Sequence, residues 1–400
     1  MRVLSVTYAL TPLSTAACGG TEQVAATLLE LHARAPYDHR LQVTTVAPAA
    51  SRIPGRWIPT NSGYWQGGAP AVNDAAQQSL ATAHDAAALA ALHGGNYDLV
   101  HIQGASFYHQ LGEIGTPILL SLHLPLSHYP PGSFGRLPPH LWLQAVSRTQ
   151  YATLRERLPP AAGRQLTGYI ANGVDLGRYR PGASAAAYWL WLGRICPEKA
   201  PHLAIELARR CGRRLILAGV VYPFPAHQEY FRRQVAPHLG GDVRWLSTLS
   251  QEGKIACLQA AAAVVIPSQA EETSSLVAME AAACGRPVLA WRSGALGEIV
   301  REGETGWLGN SLDELAAAAR RLHRIEACAC RRHAIAWFDA RRMAADYFAL
   351  YQRLARGRGR APGAPLVAVQ SDPGFDMRGA PGGPKGGGQG HRQQRHDSPR

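Results

Sequence analysis

The sequence predicts an α/β protein built from two successive Rossmann-like halves, each a doubly wound parallel sheet, with a cleft between them. Two observations carry this. Short, continuously apolar, β-branched runs alternate with longer segments of helical apolar spacing, the pattern of βαβ units whose strands are covered on both faces. The alternation also stops near residues 177–187 and then starts again with a fresh apolar run.

Taken in order, RVLSVTY (2–8) reads as a first strand, followed by a loop with Gly19-Gly20 and a helix from about Glu22 to His32. A Gly-rich turn between a first strand and a first helix lets phosphate oxygens approach the backbone, although a plain tight turn would need the same residues. LQVTTVAP (41–48), YDLVHIQG (97–104), TPILLSLH (116–123) and WLQAVS (142–147) continue the strands. Helices are expected over 73–93, near 107–111 and over RTQYATLRER, and YIANGVDLGRYRP (169–181) closes the half.

The second series opens with AYWLWLGRI and a helix starting at Pro197, PEKAPHLAIELARRC. RRLILAGV, DVRWLS, AAVVIPS, RPVLAW and TGWL are its further strands, separated by HQEYFRRQVAPHL, QEGKIACLQAAA, SLVAMEAAACG and GALGEIVREG as helices. SLDELAAAARRLHRI and a last helix over about 331–354 complete it. The expected boundaries are 1–176 for the first half, 177–335 for the second, 336–355 for a terminal helix crossing back, and 356–400 for a Gly/Pro/Arg-rich tail too poor in apolar residues to form a core and therefore disordered.

Charge and cysteine content narrow the classes. The formal charge is +13, but the tail, with eight Lys/Arg against three Asp/Glu, holds five of it. No nucleic-acid module accompanies the remainder, which suits a phosphate-bearing ligand or a peripheral contact with an anionic membrane face. No run of about 18 apolar residues is present. The N-terminus reads as a strand and loop, not as a secretory leader, because its apolar stretch is short and breaks at Thr11-Pro12. Seven cysteines, odd in number and far apart, and sixteen scattered histidines show no zinc spacing, so reduced thiols, a cytoplasmic location and no metal or cofactor are expected.

The chemistry concentrates in AEETSSLVAMEAAACGRPVLAWRSGALGEIVREGETG (270–306). Glu271 and Glu272 follow a buried-strand pattern, Thr273, Ser274 and Ser275 stand where N-cap residues belong, and Glu280 lies nearly two turns further on. Free N–H groups and a positive dipole end suit a diphosphate, and carboxylates accept hydrogen bonds from sugar or ribose hydroxyls. Arg194 and Lys199, five residues apart in GRICPEK, offer a planar fork and a compact charge at one strand end, and a cationic helix start is easier to understand with an anion bound to it. His123 ends another strand, where a structural histidine or a ligand contact fits equally well. His128 is expected to be structural or acceptor-facing.

With GRICPEK, the 267–308 segment and the NGVDLGRYRP connector, residues 1–352 resemble the retaining glycosyltransferases of family 4, which have the GT-B architecture. The pairing of Glu272 and Glu280 at E-x7-E spacing, worthless alone, is specific in that context. The resemblance implies that Glu272 binds hydroxyls of the transferred sugar and that Glu280 holds the ribose. It implies that Arg194 and Lys199 grip the diphosphate with the Gly19-Gly20 loop and backbone N–H groups near Ser274 and Ser275, and that His123 reaches the sugar from the opposite domain. Many family members have Phe-Gly where Ser274-Ser275 stand here, which weakens any inference about which sugar fits.

The implied partners are a UDP- or GDP-sugar donor and a carbohydrate or lipid-linked acceptor in polysaccharide or glycolipid synthesis. No base, sugar or acceptor is legible, and Trp57, Tyr64 and Trp65 in the 49–72 segment could stack on a sugar or cover a core edge. A catalytically silent nucleotide-sugar-binding or scaffold protein with the same fold is the alternative. If the tail serves neither folding nor catalysis, deletion of residues 356–400 leaves nucleotide-sugar turnover within about twofold of the full chain; loss of turnover would return the tail to the functional account.

Overall fold

The computed structural model describes residues 1–60 apart from 35 and 38, and residues 74–104, 114–182 and 187–357. The expected tail, the short helix near 107–111, and Tyr64 and Trp65 lie outside the described residues.

The first half comprises β1 (Arg2–Val6), α1 (Gly20–His32), β2 (Gln42–Pro48), β3 (Arg56–Thr60), α2 (Asp74–Gly94), β4 (Leu99–Ile102), β5 (Ile118–Leu122), β6 (Leu141–Ala145), α3 (Arg148–Arg157), α4 (Pro160–Gly163) and β7 (Leu166–Tyr169). Its seven strands are all parallel, in the order β3-β2-β1-β4-β5-β6-β7. β4 (LVHI) and β5 (ILLSL) are buried at every position, so they are apolar apart from His101 and Ser121. The strand β3 (RWIPT) was expected to be part of a loop. It is short, half-exposed and carries Pro59, features that read as loop in sequence but are tolerated at a sheet edge.

The second half comprises β8 (Tyr188–Leu192), α5 (Pro201–Arg210), β9 (Arg214–Ala218), α6 (Pro225–Tyr230), β10 (Val243–Leu246), α7 (Gln251–Ala260), β11 (Ala263–Ile266), α8 (Leu276–Ala283), β12 (Val288–Trp291), α9 (Leu296–Ile299), β13 (Gly306–Gly309), α10 (Leu312–Ala319), α11 (Ala327–Trp337) and α12 (Ala340–Ala355). Its parallel sheet runs β10-β9-β8-β11-β12-β13. In both sheets the strand order reverses beside the first strand, between β1 and β4 and between β8 and β11. Loops leaving the carboxyl ends at such a reversal part to opposite faces and open a crevice.

Two helix expectations are corrected. The helix expected from Pro197 begins at Pro201, after a separate 3-10 turn (Pro197–Lys199) and Ala200 at φ 47°. Proline disfavours right-handed helical geometry in the residue before it, so the helix cannot run through Ala200, which here is left-handed, and Pro201 becomes the first helical residue. The last helix is two: Asp339 breaks the run and caps α12 by accepting from the Arg341 N–H at 2.9 Å.

The terminal helix α12 packs on the first half. Met343, Tyr347, Tyr351 and Leu354 are buried with Val3, Leu28, Leu99 and Leu119, each such side chain contributing about 1.5–3 kcal/mol of burial. Its tyrosines also enter a buried polar chain. The Tyr351 hydroxyl lies 2.6 Å from His101 Nδ1, His101 Nε2 lies 2.9 Å from Ser121 Oγ, and Ser121 Oγ lies 3.1 Å from the Tyr347 hydroxyl. Among the described residues no helix is long and apolar enough to cross a membrane.

Burial lowers His32, His84 and His123 to about 4, so each is neutral in the fold at pH 7. Because these folded values lie below the unfolded value of about 6.5, the stability they contribute is present above pH ~6.5 and is lost as the pH falls through about 4. The thermal midpoint is expected to fall across that window. His32→Gln should make the fall shallower, and an unchanged slope would contradict the assignment.

Candidate functional site

The loop after β8 (Gly193–Ala200) and the loop after β11 (267–275) leave the second sheet at its reversal point. The first carries Arg194 and Lys199, the second Glu272. Lys199 Nζ meets Glu272 Oε1 at 2.6 Å, with Glu272 only 7% exposed. The Lys199 carbonyl accepts from Trp191 Nε1 at 3.2 Å, and the Glu198 carbonyl accepts from the Gln269 N–H at 2.8 Å, so the two loops are stitched together beneath the pair. Gly294 closes it from the other side. At φ 50° its missing side chain lets the backbone pass Glu272, where a Cβ would stand 2.2 Å from the Glu272 carbonyl oxygen. The Ala295 N–H donates to that oxygen at 2.7 Å.

Glu272 lies in the loop, and α8 starts only at Leu276. Ser275 is its N-cap residue but makes no side-chain capping bond, which leaves the first N–H groups of the helix without a side-chain partner from the cap. Ser274 Oγ is buried with no partner among the described residues. Thr273 turns the other way: its hydroxyl donates to the His123 carbonyl at 2.7 Å, across the crevice from the end of β5. His123 itself is buried, and its Nε2 has no partner among the described residues.

Glu280 is 2% exposed and does not stand open to a ligand on all sides. Its Oε1 accepts from Lys254 Nζ at 2.8 Å and from the Tyr179 hydroxyl at 2.7 Å. The same ammonium reaches Gln23 Oε1 on α1 at 3.0 Å, which ties the first helix of one half to the carboxylate of the other. Glu280, Tyr179, Gln23 and Leu276 line one small cleft between the halves. Sequence reasoning missed Lys254, because a lone lysine on a helix carries no motif.

The Gly19-Gly20 loop also arrives here, since a Cβ on Gly20 would lie 3.8 Å from Leu276 Cδ1. The Glu22 carboxylate folds over Gly19, with its Oε2 2.0 Å from where a Cβ would stand. Burial raises the Glu22 carboxyl, while its own backbone N–H and Thr11 partly offset this. An anion arriving at the start of α1 therefore meets an acid already there, and Glu22 is a second residue that the sequence did not single out.

The two cations engage different carboxylates. Arg194 lies 3.5 Å from Glu198 Oε1 and 5.2 Å from the centre of the Tyr222 ring. They occupy the turn before α5, not the first helical turn, so the dipole argument for an anion loses its footing. Glu271 pairs with Arg157 at 3.4 Å on the surface, and His128 is exposed on a 3-10 turn away from the pair.

The halves are held in contact around the crevice. The Glu298 carboxylate of α9 accepts from the Arg148 and Thr149 N–H groups at 3.1 and 2.9 Å, at the start of α3. Arg178 reaches Glu30 at 2.5 Å.

Residues 186–324 match the family described as glycosyl transferases group 1. Over that segment the chain is similar to group 1 glycosyl transferases. The D-inositol 3-phosphate glycosyltransferase of Kribbella flavida is 36% identical over 179 residues, which cover 37% of this chain and 41% of that protein. The enzyme of the same description from Mycolicibacterium paratuberculosis is 36% identical over 174 residues, or 40% and 39% of the two chains. The match thus spans about two fifths of these relatives' length.

Over nearly the whole fold, sucrose-phosphate synthase from Thermosynechococcus elongatus superposes with a TM-score of 0.72 at 20% identity, covering 89% of this chain and 99% of that one. Anabaena Alr3699/HepE, solved in complex with UDP and glucose, gives 0.64 at 18% identity, covering 88% and 99%. The family 4 resemblance and the GT-B architecture read from the sequence therefore hold. Arg194, Lys199, Glu272 and Glu280 lie within the matched segment, and His123 and Gly19-Gly20 lie in the first half.

Removing the partner of a buried charge costs about 3–5 kcal/mol, more than the pair itself contributes. Lys254→Met is expected to lower the denaturant midpoint of unfolding accordingly. The double variant Lys254→Met, Glu280→Gln should recover part of the loss, and strictly additive losses would show that the two groups are uncoupled.

Proposed function

We propose that the protein transfers a glycosyl unit from a nucleotide-diphosphate sugar, a UDP- or GDP-sugar, to an acceptor hydroxyl with retention at the anomeric carbon. The observation that carries the reading is the 2.6 Å pair of Lys199 and Glu272 at the strand-order reversal, within the segment that matches the transferase family, with the neighbouring Thr273 bonded to the His123 carbonyl of the other half. Lys199 holds Oε1 of Glu272, which orients Oε2 toward the hydroxyls of the transferred sugar. Glu280, fixed by Lys254 and Tyr179, keeps its second oxygen for the ribose.

Arg194 and Lys199 stabilise the charge that grows on the departing diphosphate, helped by the N–H groups that open α8. The bond from the anomeric carbon to the phosphate oxygen breaks while the bond to the acceptor oxygen forms on the same face. The acceptor's proton passes to the leaving phosphate. The protein supplies position and charge, and no group on it becomes covalently attached. His123, neutral because burial lowers it to about 4, has an imidazole nitrogen for a sugar hydroxyl or oxygen. The acceptor is a carbohydrate or a lipid-linked saccharide, and the donor carries its own activation, so no cofactor is required.

A panel of UDP- and GDP-sugars, assayed for release of the nucleoside diphosphate with and without acceptor sugars, tests the reading. Lys199→Ala and Glu272→Gln are each expected to lower kcat by about 10²–10³-fold, the usual effect of removing one preorganised electrostatic partner. Arg194→Lys should lower it less, because a fork becomes a point charge. Turnover near the unaltered level in Glu272→Gln would end the assignment, and nucleotide-sugar binding without turnover in the unaltered chain would favour a silent scaffold.

A further inference from the structure

Within the loop that carries Arg194 and Lys199, and on the neighbouring α6, the fold assembles three ligand atoms to which the proposed transfer assigns no part. Cys196, Glu198 and His227 each offer one donor, and the sulfur, carboxylate oxygen and imidazole nitrogen all lie within 4.8 Å of one another. We propose that these three side chains bind one Zn²⁺.

The donor set favours that metal. Thiolate, imidazole and carboxylate are the usual ligands of zinc, whereas Mg²⁺ and Ca²⁺ take oxygen donors and would gain little from the sulfur. With bonds of about 2.0–2.3 Å in a tetrahedral arrangement, ligand atoms stand about 3.3–3.6 Å apart. Closing from within 4.8 Å therefore needs side-chain rotation and no backbone movement. Three protein ligands leave the fourth position to water.

The frame around them is rigid. Ile195 pairs with Val221, joining the cysteine's loop to the segment that leads into α6, on which His227 sits. The Glu198 carbonyl is held by the Gln269 N–H at 2.8 Å and approached by Ser268 Oγ at 3.3 Å. The His227 ring is packed against Tyr222 and Phe224, with centroids 6.2 and 5.2 Å away. Its Nδ1 is buried and has no hydrogen-bond partner among the described residues. The Cys196 thiol lies 3.4 Å from the Arg194 carbonyl and hydrogen-bonds the Glu198 carboxylate, so two of the three ligands already meet.

Charge also balances. A thiolate and a carboxylate neutralise the ion; because Zn²⁺ enters and one thiol proton leaves, binding takes the site from −1 to neutral, and Arg194, 3.5 Å from Glu198, then shares that carboxylate with the metal. The thiol proton leaves to solvent as the metal–sulfur bond forms. Access runs past the partly exposed Glu198 and His227, since Cys196 is fully buried. The sequence conceals the site because Cys-x-Glu with a histidine 29 residues beyond the glutamate fits no recognised zinc spacing.

The test uses the full chain, stripped with a chelator and titrated with Zn²⁺, Mg²⁺ and Co²⁺. One equivalent of Zn²⁺ should bind, unaffected by excess Mg²⁺, and the Co²⁺ form should show a thiolate-to-cobalt charge-transfer band in the near ultraviolet. Cys196→Ser should abolish the band, and Cys328→Ser, at an exposed position on α11, should leave it unchanged. His227→Ala and Glu198→Gln, checked for native circular dichroism, should each weaken Zn²⁺ by about tenfold or more. They carry the test if Cys196→Ser does not fold. Zn²⁺ affinity equal in His227→Ala, Glu198→Gln and the unaltered chain, or a cobalt band that survives Cys196→Ser, would overturn the proposal.

Discussion

A carboxylate removed from water must be compensated, and that requirement governs the centre of this molecule. Glu272 and Glu280 are both buried, and each is met by a single lysine from a different segment: Lys199 from the loop after β8 and Lys254 from α7. An unpaired buried carboxylate would cost several kcal/mol, so each pairing is close to obligatory once the loops have packed. The pairs then fix much else. Lys199 cannot reach Glu272 unless β8 and β11 are neighbours, and Lys254 cannot reach both Glu280 and Gln23 unless the two halves approach.

The consequence is a site whose polar groups are preorganised. Gly294 lets the backbone pass Glu272 at close range, and Gly20 brings the loop after β1 against the start of α8. Around this centre the halves are tied by backbone-directed bonds. Glu298 accepts two N–H groups at the start of α3, and Thr273 donates to the His123 carbonyl. Such contacts depend on main-chain position more than on partner identity, which suits an interface between halves that must meet in one register. The terminal helix adds an apolar tie by completing the core of the half it left much earlier in the chain.

Much of the fold was legible because its signals are local. The apolar runs at β4, β5 and β11 and the helical spacing of α1 and α8 survive any packing, and Ser147 and Ser311 mark the starts of α3 and α10 by capping them. What failed were elements whose identity is conferred by a neighbour. β3 is a strand only because β2 offers it a ladder. The helix predicted from Pro197 begins at Pro201 because Ala200 takes a left-handed conformation. In the site, Glu272, Glu280, Arg194 and Lys199 stand in recognisable segments, whereas Lys254, Tyr179 and Glu22 do not. Their roles come from positions 26, 101 and 172 residues away from Glu280 or Arg194 along the chain.

The sequence by itself determined the α/β alternation, the restart near residue 187 and the residue types available at each strand end, because periodicity and turn chemistry act over a few residues. Only the tertiary structure decided which lysine neutralises which glutamate. It alone turned Arg194 toward Glu198 and Tyr222, and it alone brought Cys196, Glu198 and His227 within reach of one another. Those pairings follow from strand order and from the approach of loops, and distance in space is not written in distance along the chain.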